Sequence, residues 1–304
     1  MKYTNKHGLP QTLVNLTERD GYSKGAARIS VTTLIGAPRV SILRNRHDDH
    51  IVVDVADGLW ALVGRAIHHV AEAGAGAEHI SEERLFATVN GWVLSGGIDL
   101  QTIAEDGSRI IEDYKFTSSW AVMHSEHKFD WEAQLNLYSW LARMNGVEVT
   151  GLRIVALIRD WRRHDVGRAG YPPAPAQVIN IPLWSFEKQQ AYVEERISIH
   201  QAAAAAAEFG EDLPECTDED RWVRGEKFAV VKKGNKKATK VFDLEKDAQE
   251  FIQDISKADG LLGKFEVVHR PGEPLRCTGN FCQVAPFCDQ YGKYVLDLKM
   301  GEEK

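Results

Sequence analysis

The strongest constraint in this chain is a change of hydrophobic period. Over residues 55–73, Leu59, Leu62, Val63, Ala66, Ile67 and Val70 recur at helical spacing and share one face, with Ala61, Gly64 and His68 opposite. Gly74 and Gly76 end that helix. Residues 84–89 and 92–100 then turn to β-formers, and Asn90-Gly91 between them signals a two-residue hairpin. Ala104-Glu105-Asp106-Gly107 makes a second turn, and 109–115 reads as a third strand. The expectation is a helix followed by an antiparallel meander. A helix over 131–144 follows, capped by Asp130 and closed at Gly146. Residues 152–158 suit a buried strand, 178–183 another, and Ser185 caps a long helix that Gly210 ends.

Side chains alternate along a strand, so Asp113 and Lys115 share one face while Glu112 and Tyr114 share the other. Asp99 lies on the adjacent strand, so two carboxylates and a lysine converge. Neighbouring carboxylates repel unless a divalent cation neutralises them. Oxygen donors of this kind suit Mg²⁺ or Mn²⁺. A lysine beside them can activate water and stabilise charge on a phosphate, which equips the group for metal-assisted phosphodiester hydrolysis. A lone Asp-x-Lys triplet also occurs on ordinary solvent-facing strands, so its setting carries the reading. Gln134 and Tyr138, four apart on the next helix, share a face that can reach a phosphate or a nucleotide. Core packing of Tyr138 is the alternative. Gly64 and His68 are also four apart: the glycine leaves room for another element, and the histidine offers an imidazole to a metal. Glu83 is an additional acidic candidate.

Composition matters mainly through its distribution. No run of eighteen apolar residues exists, which excludes a transmembrane helix. The polar first sixteen residues are unlike a secretory signal, so a cytoplasmic location is expected. The net charge of −7 argues against nucleic-acid binding by bulk charge. Residues 221–240, however, hold eight bases and one acid, +7, leaving −14 on the rest. There, Lys232, Lys233, Lys236, Lys237 and Lys240 surround a hairpin able to track a DNA backbone. Arg162 and Arg163, in an Arg-rich loop after a core strand, are a second candidate contact. A lysine-protected edge hairpin is the plainer account. Cys277, Cys282 and Cys288 cluster near the end, and Cys216 lies upstream. Four thiolates suit a [4Fe–4S] cluster or a structural Zn²⁺. The paired Cys-x-x-Cys of a zinc ribbon is absent, and buried free thiols remain the simplest alternative.

Gly64-x-x-x-His68, Gly97-x-Asp99, Asp113-Tyr114-Lys115 and Gln134-x-x-x-Tyr138 occur in the order seen in RecB-type nucleases of the PD-(D/E)XK superfamily. The chain resembles that family, which includes CRISPR-associated and phage exonucleases, over about residues 30–142, and the terminal cysteines extend the match. The resemblance implies an α/β fold with a restriction-endonuclease-like core, a central mixed sheet of three to five strands flanked by helices. It implies that His68, Asp99, Asp113 and the Tyr114 carbonyl ligate the metal, that Lys115 is catalytic, and that Gln134 and Tyr138 form the helix motif beside the site. It favours iron–sulfur over zinc, because one isolated Cys plus a C-terminal trio is the pattern of the iron–sulfur members. Those members carry the isolated Cys in a Cys-Pro-Arg context before the core. Here that segment is Ala37-Pro38-Arg39, so Cys216 would have to take the role.

The resulting expectation is a metal-dependent DNA exonuclease of recombination, repair or phage DNA processing. Its organisation would be a nuclease core over 1–210, an acidic linker with a basic ββα insertion over 211–268, and a cysteine segment over 269–304 packing back on the core. A structure-specific endonuclease on the same scaffold is one alternative, and a non-catalytic DNA-binding or recombination-partner module is another. A recombination partner protein or a homo-oligomer is compatible with either, and no membrane partner is expected.

Overall fold

The hairpin expected at Asn90-Gly91 closes around two positive-φ residues, 46° and 78°, as a primed two-residue turn requires. The computed structural model describes residues 1–19, 25–124, 129–235, 237–259 and 263–302. They fall into two units, Met1–Pro214 and Glu215–Lys304. In the first, β1 (Lys2–Thr4), α1 (Gln11–Glu18), β2 (Ile29–Ser30), α2 (Val31–Ile35), α3 (Pro38–Arg46), β3 (Val52–Asp54) and α4 (Val55–Glu72) precede the hairpin of β4 (His79–Val89) and β5 (Trp92–Ile103). β6 (Arg109–Thr117), α5 (Ser119–Met123), α6 (Phe129–Met144), β7 (Val149–Ile158), β8 (Ala176–Ile181) and α7 (Phe186–Phe209) complete it.

Among the described residues the main sheet has six strands in the order β2-β5-β6-β7-β8, with β4 paired to β5. It is mixed: β2–β5 and β6–β7 are parallel, and the other pairs are antiparallel. This is the helix-flanked mixed sheet that the sequence led us to expect, with six strands instead of three to five because the short β2 joins it from upstream. β5 is long enough to have three neighbours. β4 occupies one edge, while β2 meets Leu94 and Ser95 and β6 meets 100–103. Between those short ladders β5 and β6 part, and the parting places the candidate site.

Helix α6 covers the sheet. Its Leu137, Trp140 and Leu141 are buried among Leu94, Ile98, Ile111 and Ile154. Gly96 permits the approach, since a Cβ there would stand 2.7 Å from Leu141 Cδ1 and 2.8 Å from Tyr138 Cδ1. Helix α7 buries Val193 and Ile197. Its Arg196 donates to the carbonyls of Leu34, Ile35 and Gly36 at 3.0, 3.1 and 2.6 Å, satisfying the C-terminal end of α2.

The apolar face read for α4 is not a core face. Among its described residues only Val55 is buried, and Val63 and Val70 are exposed. Helix α4 lies instead against α1 and β6. Thr17 Cγ2 comes within 2.7 Å of where a Gly58 Cβ would stand, so close packing on α1 sets the helix's rotation and overrides its hydrophobic pattern.

The second unit contains α8 (Asp218–Arg221), β9 (Val223–Arg224), β10 (Lys227–Lys232), β11 (Ala238–Phe242), α9 (Glu245–Asp259), β12 (Phe265–Arg270), β13 (Glu273–Pro274), α10 (Leu275–Thr278) and α11 (Asp289–Glu302). The basic hairpin forms from β10 and β11. The reading as ββα needs one correction: β12 pairs antiparallel along the other edge of β10, making a ββαβ unit. Ala229, Val230 and Val231 of β10 are successive and all buried, so both faces of this strand are covered, as befits a central strand.

Candidate functional site

The site lies where β5 and β6 part. Their ladder pairs Leu100 with Glu112, so Asp99 and Asp113 stand opposite each other one step further on. The ladder bond is replaced there by a side chain: Asp99 Oδ2 accepts the Tyr114 N–H at 3.0 Å. From α4, His68 Nε2 lies 3.2 Å from the Tyr114 carbonyl oxygen, and Nδ1 lies 3.5 Å from Asp99 Oδ2. A carbonyl only accepts, so Nε2 donates, and a neutral ring turns its Nδ1 lone pair to the carboxylate.

Asp113 is 1% exposed. Lys115 Nζ lies 2.6 Å from its Oδ2 and donates to Gln134 Oε1 at 2.9 Å. Gln134 Nε2 donates to Asp113 Oδ1 at 3.0 Å and to the Tyr138 hydroxyl at 2.9 Å. Tyr138 is thus both a core side chain and the end of this chain of bonds. All seven residues line one cleft of about 750 Å³.

Glu82 was not singled out in the sequence, and the structure puts it here. Its Oε1 lies 3.9 Å from His68 Nδ1. One ligand atom each from His68, Glu82 and Asp99 fall within 4.8 Å of one another, the one such His, Cys, Asp or Glu set among the described residues. Counting from the hairpin would have found it, because the register pairs Val89 with Trp92 and Leu85 with Gly96, so Asp99 stands opposite Glu82. Glu82 has a φ of 51°, a left-handed conformation uncommon for a non-glycine residue. Glu83 is used elsewhere: its Oε2 accepts from Gln101 Nε2 at 2.6 Å and Arg109 Nη1 at 2.9 Å.

Burial, and then the charge of Asp113, pushes the Asp99 carboxyl up to about 8. Desolvated, mutually repelling carboxylates gain most from a divalent cation. Carboxylate and carbonyl oxygens with one imidazole form a donor set that fits Mg²⁺ or Mn²⁺.

A family model described as the PD-(D/E)XK nuclease superfamily matches residues 37–289. The chain belongs to the PD-(D/E)XK nuclease superfamily. Two solved structures are similar to this PD-(D/E)XK chain. The protein SSO0001 is 19% identical with a TM-score of 0.44, the match covering 62% of this chain and 85% of that one. A candidate exonuclease from Eubacterium rectale is 12% identical with a TM-score of 0.34, the match covering 54% of this chain and 58% of that one. No curated protein matches the sequence.

The PD-(D/E)XK match also spans the cysteines. Burial and the thiols of Cys282 and Cys288 push the Cys277 thiol up, with Arg221 and Arg276 opposing. Gln290 accepts from the Cys216 N–H at 2.9 Å and donates to its carbonyl at 3.0 Å, which fastens Cys216 beside the helix that starts after Cys288. None of the four forms a disulfide. No three of their sulfurs fall within the 4.8 Å spacing given above. At Ala37-Pro38-Arg39, Arg39 is buried and donates to the carbonyls of Leu213 and Pro214, which end the first unit two residues before Cys216.

Lys232, Lys233, Lys237 and Lys240 are exposed on the hairpin, and Lys236 lies outside the described residues. The Lys240 ammonium sits over the rings of Phe242 and Phe251 at 5.0 and 4.9 Å. Arg162 and Arg163 are exposed. Another residue of that loop, Arg159, lies over Trp60, which lines the cleft. Among the described residues, no helix is long and apolar enough to cross a membrane.

Proposed function

We propose that this cleft hydrolyses phosphodiester bonds in DNA with a divalent cation, acting as an exonuclease. The observation that carries the reading is the meeting of His68, Asp99, Asp113 and Lys115 where β5 and β6 part. Mg²⁺ or Mn²⁺ would be held by His68, Asp99, Asp113 and the Tyr114 carbonyl, with Glu82 extending the set. When bound, such an ion polarises the phosphoryl group and lowers the pKa of water. Lys115 would turn from Asp113 and Gln134 toward the attacking water and the charged phosphate. Gln134 fixes Lys115 and Asp113 relative to each other, and Tyr138 fixes Gln134. The exposed hairpin lysines and Arg162 and Arg163 would contact backbone phosphates, so binding should weaken with salt.

Linear DNA should be degraded with Mn²⁺ or Mg²⁺, and EDTA or Asp113→Ala should stop it. Circular single-stranded DNA should survive. Parent-rate degradation by Asp113→Ala would sink the reading, while cutting of the circle would favour an endonuclease.

The four cysteines supply a second part of the proposal, a metal centre in the second unit. Four thiolates suit either a tetrahedral Zn²⁺ or an iron–sulfur cluster, and the resemblance to the iron–sulfur members of the family supports the cluster. Purified protein should therefore be brown and contain iron. If elemental analysis finds neither iron nor zinc at stoichiometric level, both metals are excluded.

A further inference from the structure

Trp60 is a large apolar side chain that packing does not require: it is 59% exposed and lines the cleft. Trp60, Gly64 and His68 follow one another at i, i+4 and i+8 along α4, so the indole and the imidazole share a helix face about 12 Å apart along the axis. Between them, no atom lies within 4 Å of where a Gly64 Cβ would stand, and the space over the helix is open. The indole is not loose. The Arg159 guanidinium lies 5.1 Å from its ring centroid, and the Phe116 ring is 6.1 Å away at 39°. Arg65 and Arg84 line the same cleft.

We propose that Trp60 is a stacking platform for an unpaired base, so that the cleft takes a single strand of nucleic acid. This rests on the nuclease reading above and names its substrate class. A cation–π contact and a second ring hold an exposed indole in one orientation, which lowers the entropy lost when a base stacks on it. A base offers its face only when it is unstacked from a duplex, and such stacking is sequence-tolerant. With a base on Trp60, the sugar–phosphate chain crosses the gap at Gly64, the arginines meet its phosphates, and the next phosphate reaches His68 and Asp99. A duplex end would have to fray to do the same.

The test is binding measured by fluorescence anisotropy in EDTA, with cleavage in Mn²⁺ followed in parallel. The probes are a labelled single strand, a blunt hairpin duplex and an abasic sugar–phosphate oligomer. Trp60→Ala should weaken single-strand binding about tenfold, the scale of one lost base–aromatic stack. Trp60→Phe should restore most of it, and duplex binding should not change. The parent should bind the abasic oligomer as weakly as Trp60→Ala binds the normal strand. Single-strand affinity equal to the parent's in Trp60→Ala, or equal losses on strand and duplex, overturns the platform. If either result comes with intact Mn²⁺-dependent cleavage by the parent, the nuclease reading stands without it. If the parent neither binds nor cleaves DNA, both fall.

Discussion

Lys115→Ala should lower metal-supported DNA cleavage by about 10²–10³-fold, the usual effect of removing one preorganised group that stabilises developing charge. Lys115 has few other duties that would confuse the result. About a quarter of its side chain is exposed, and its described polar partners are Asp113 and Gln134. Its loss strands a buried carboxylate. Breaking a fully buried pair costs about 3–5 kcal/mol, and partial exposure of the lysine reduces that here. The variant should therefore melt lower than the parent without divalent cation and recover much of the difference when Mn²⁺ is added, because a cation can replace the lost positive charge beside Asp113. Lys115→Arg should restore stability better than rate, since a planar guanidinium pairs with a carboxylate but cannot place its charge on the attacking water and the phosphate as a compact ammonium does. A Lys115→Ala protein that cleaves at the parent rate would remove the lysine from the chemistry.

Much of this site was legible because strand arithmetic is rigid. The two-residue turn at Asn90-Gly91 fixes which residues of β4 and β5 stand opposite each other, and the turn at 104–107 does the same for β5 and β6. The second register brought Asp99 and Asp113 together in the reading. The first would have given Glu82 as well, but Glu83 drew attention through its place before the hairpin. The parting of β5 and β6 is not written locally. It depends on β2 claiming Leu94 and Ser95 from far upstream. How α4 lies is likewise not written in its own pattern: Val63 and Val70 of its apolar stripe are exposed, while Thr17 of α1 stands close to Gly58. The link between Arg159 and Trp60 joins residues about a hundred positions apart and has no sequence signature. β12 was overlooked although the continuous apolar run in β10 called for a second neighbour.

Gly96→Ala should destabilise the protein by about 1–3 kcal/mol, the cost of forcing a methyl group into a close-packed core. Two ordinary arguments point the other way. Replacing glycine reduces the entropy of the unfolded chain by about 0.4–1 kcal/mol where the backbone allows it, and Gly96 is not among the positive-φ glycines. Packing decides the sign. The new carbon would meet Leu141 Cδ1 at 2.7 Å and the Tyr138 ring at 2.8–2.9 Å. Leu141 is 0% exposed and Tyr138 4%, so neither has a vacant direction in which to move. Gly97→Ala is the matched control, one residue further and on the opposite face. There the nearest atom is Arg84 Nη2 at 3.2 Å, the end of a flexible side chain. Urea denaturation should show a lower midpoint for Gly96→Ala and a nearly unchanged one for Gly97→Ala. The Gly96 variant should also lose activity in its folded fraction, because a displaced Tyr138 hydroxyl releases Gln134, and Gln134 holds both Asp113 and Lys115. Equal midpoints for the two variants would mean that the seating of α6 on β5 tolerates a methyl group, and that Tyr138 does not transmit packing to the site.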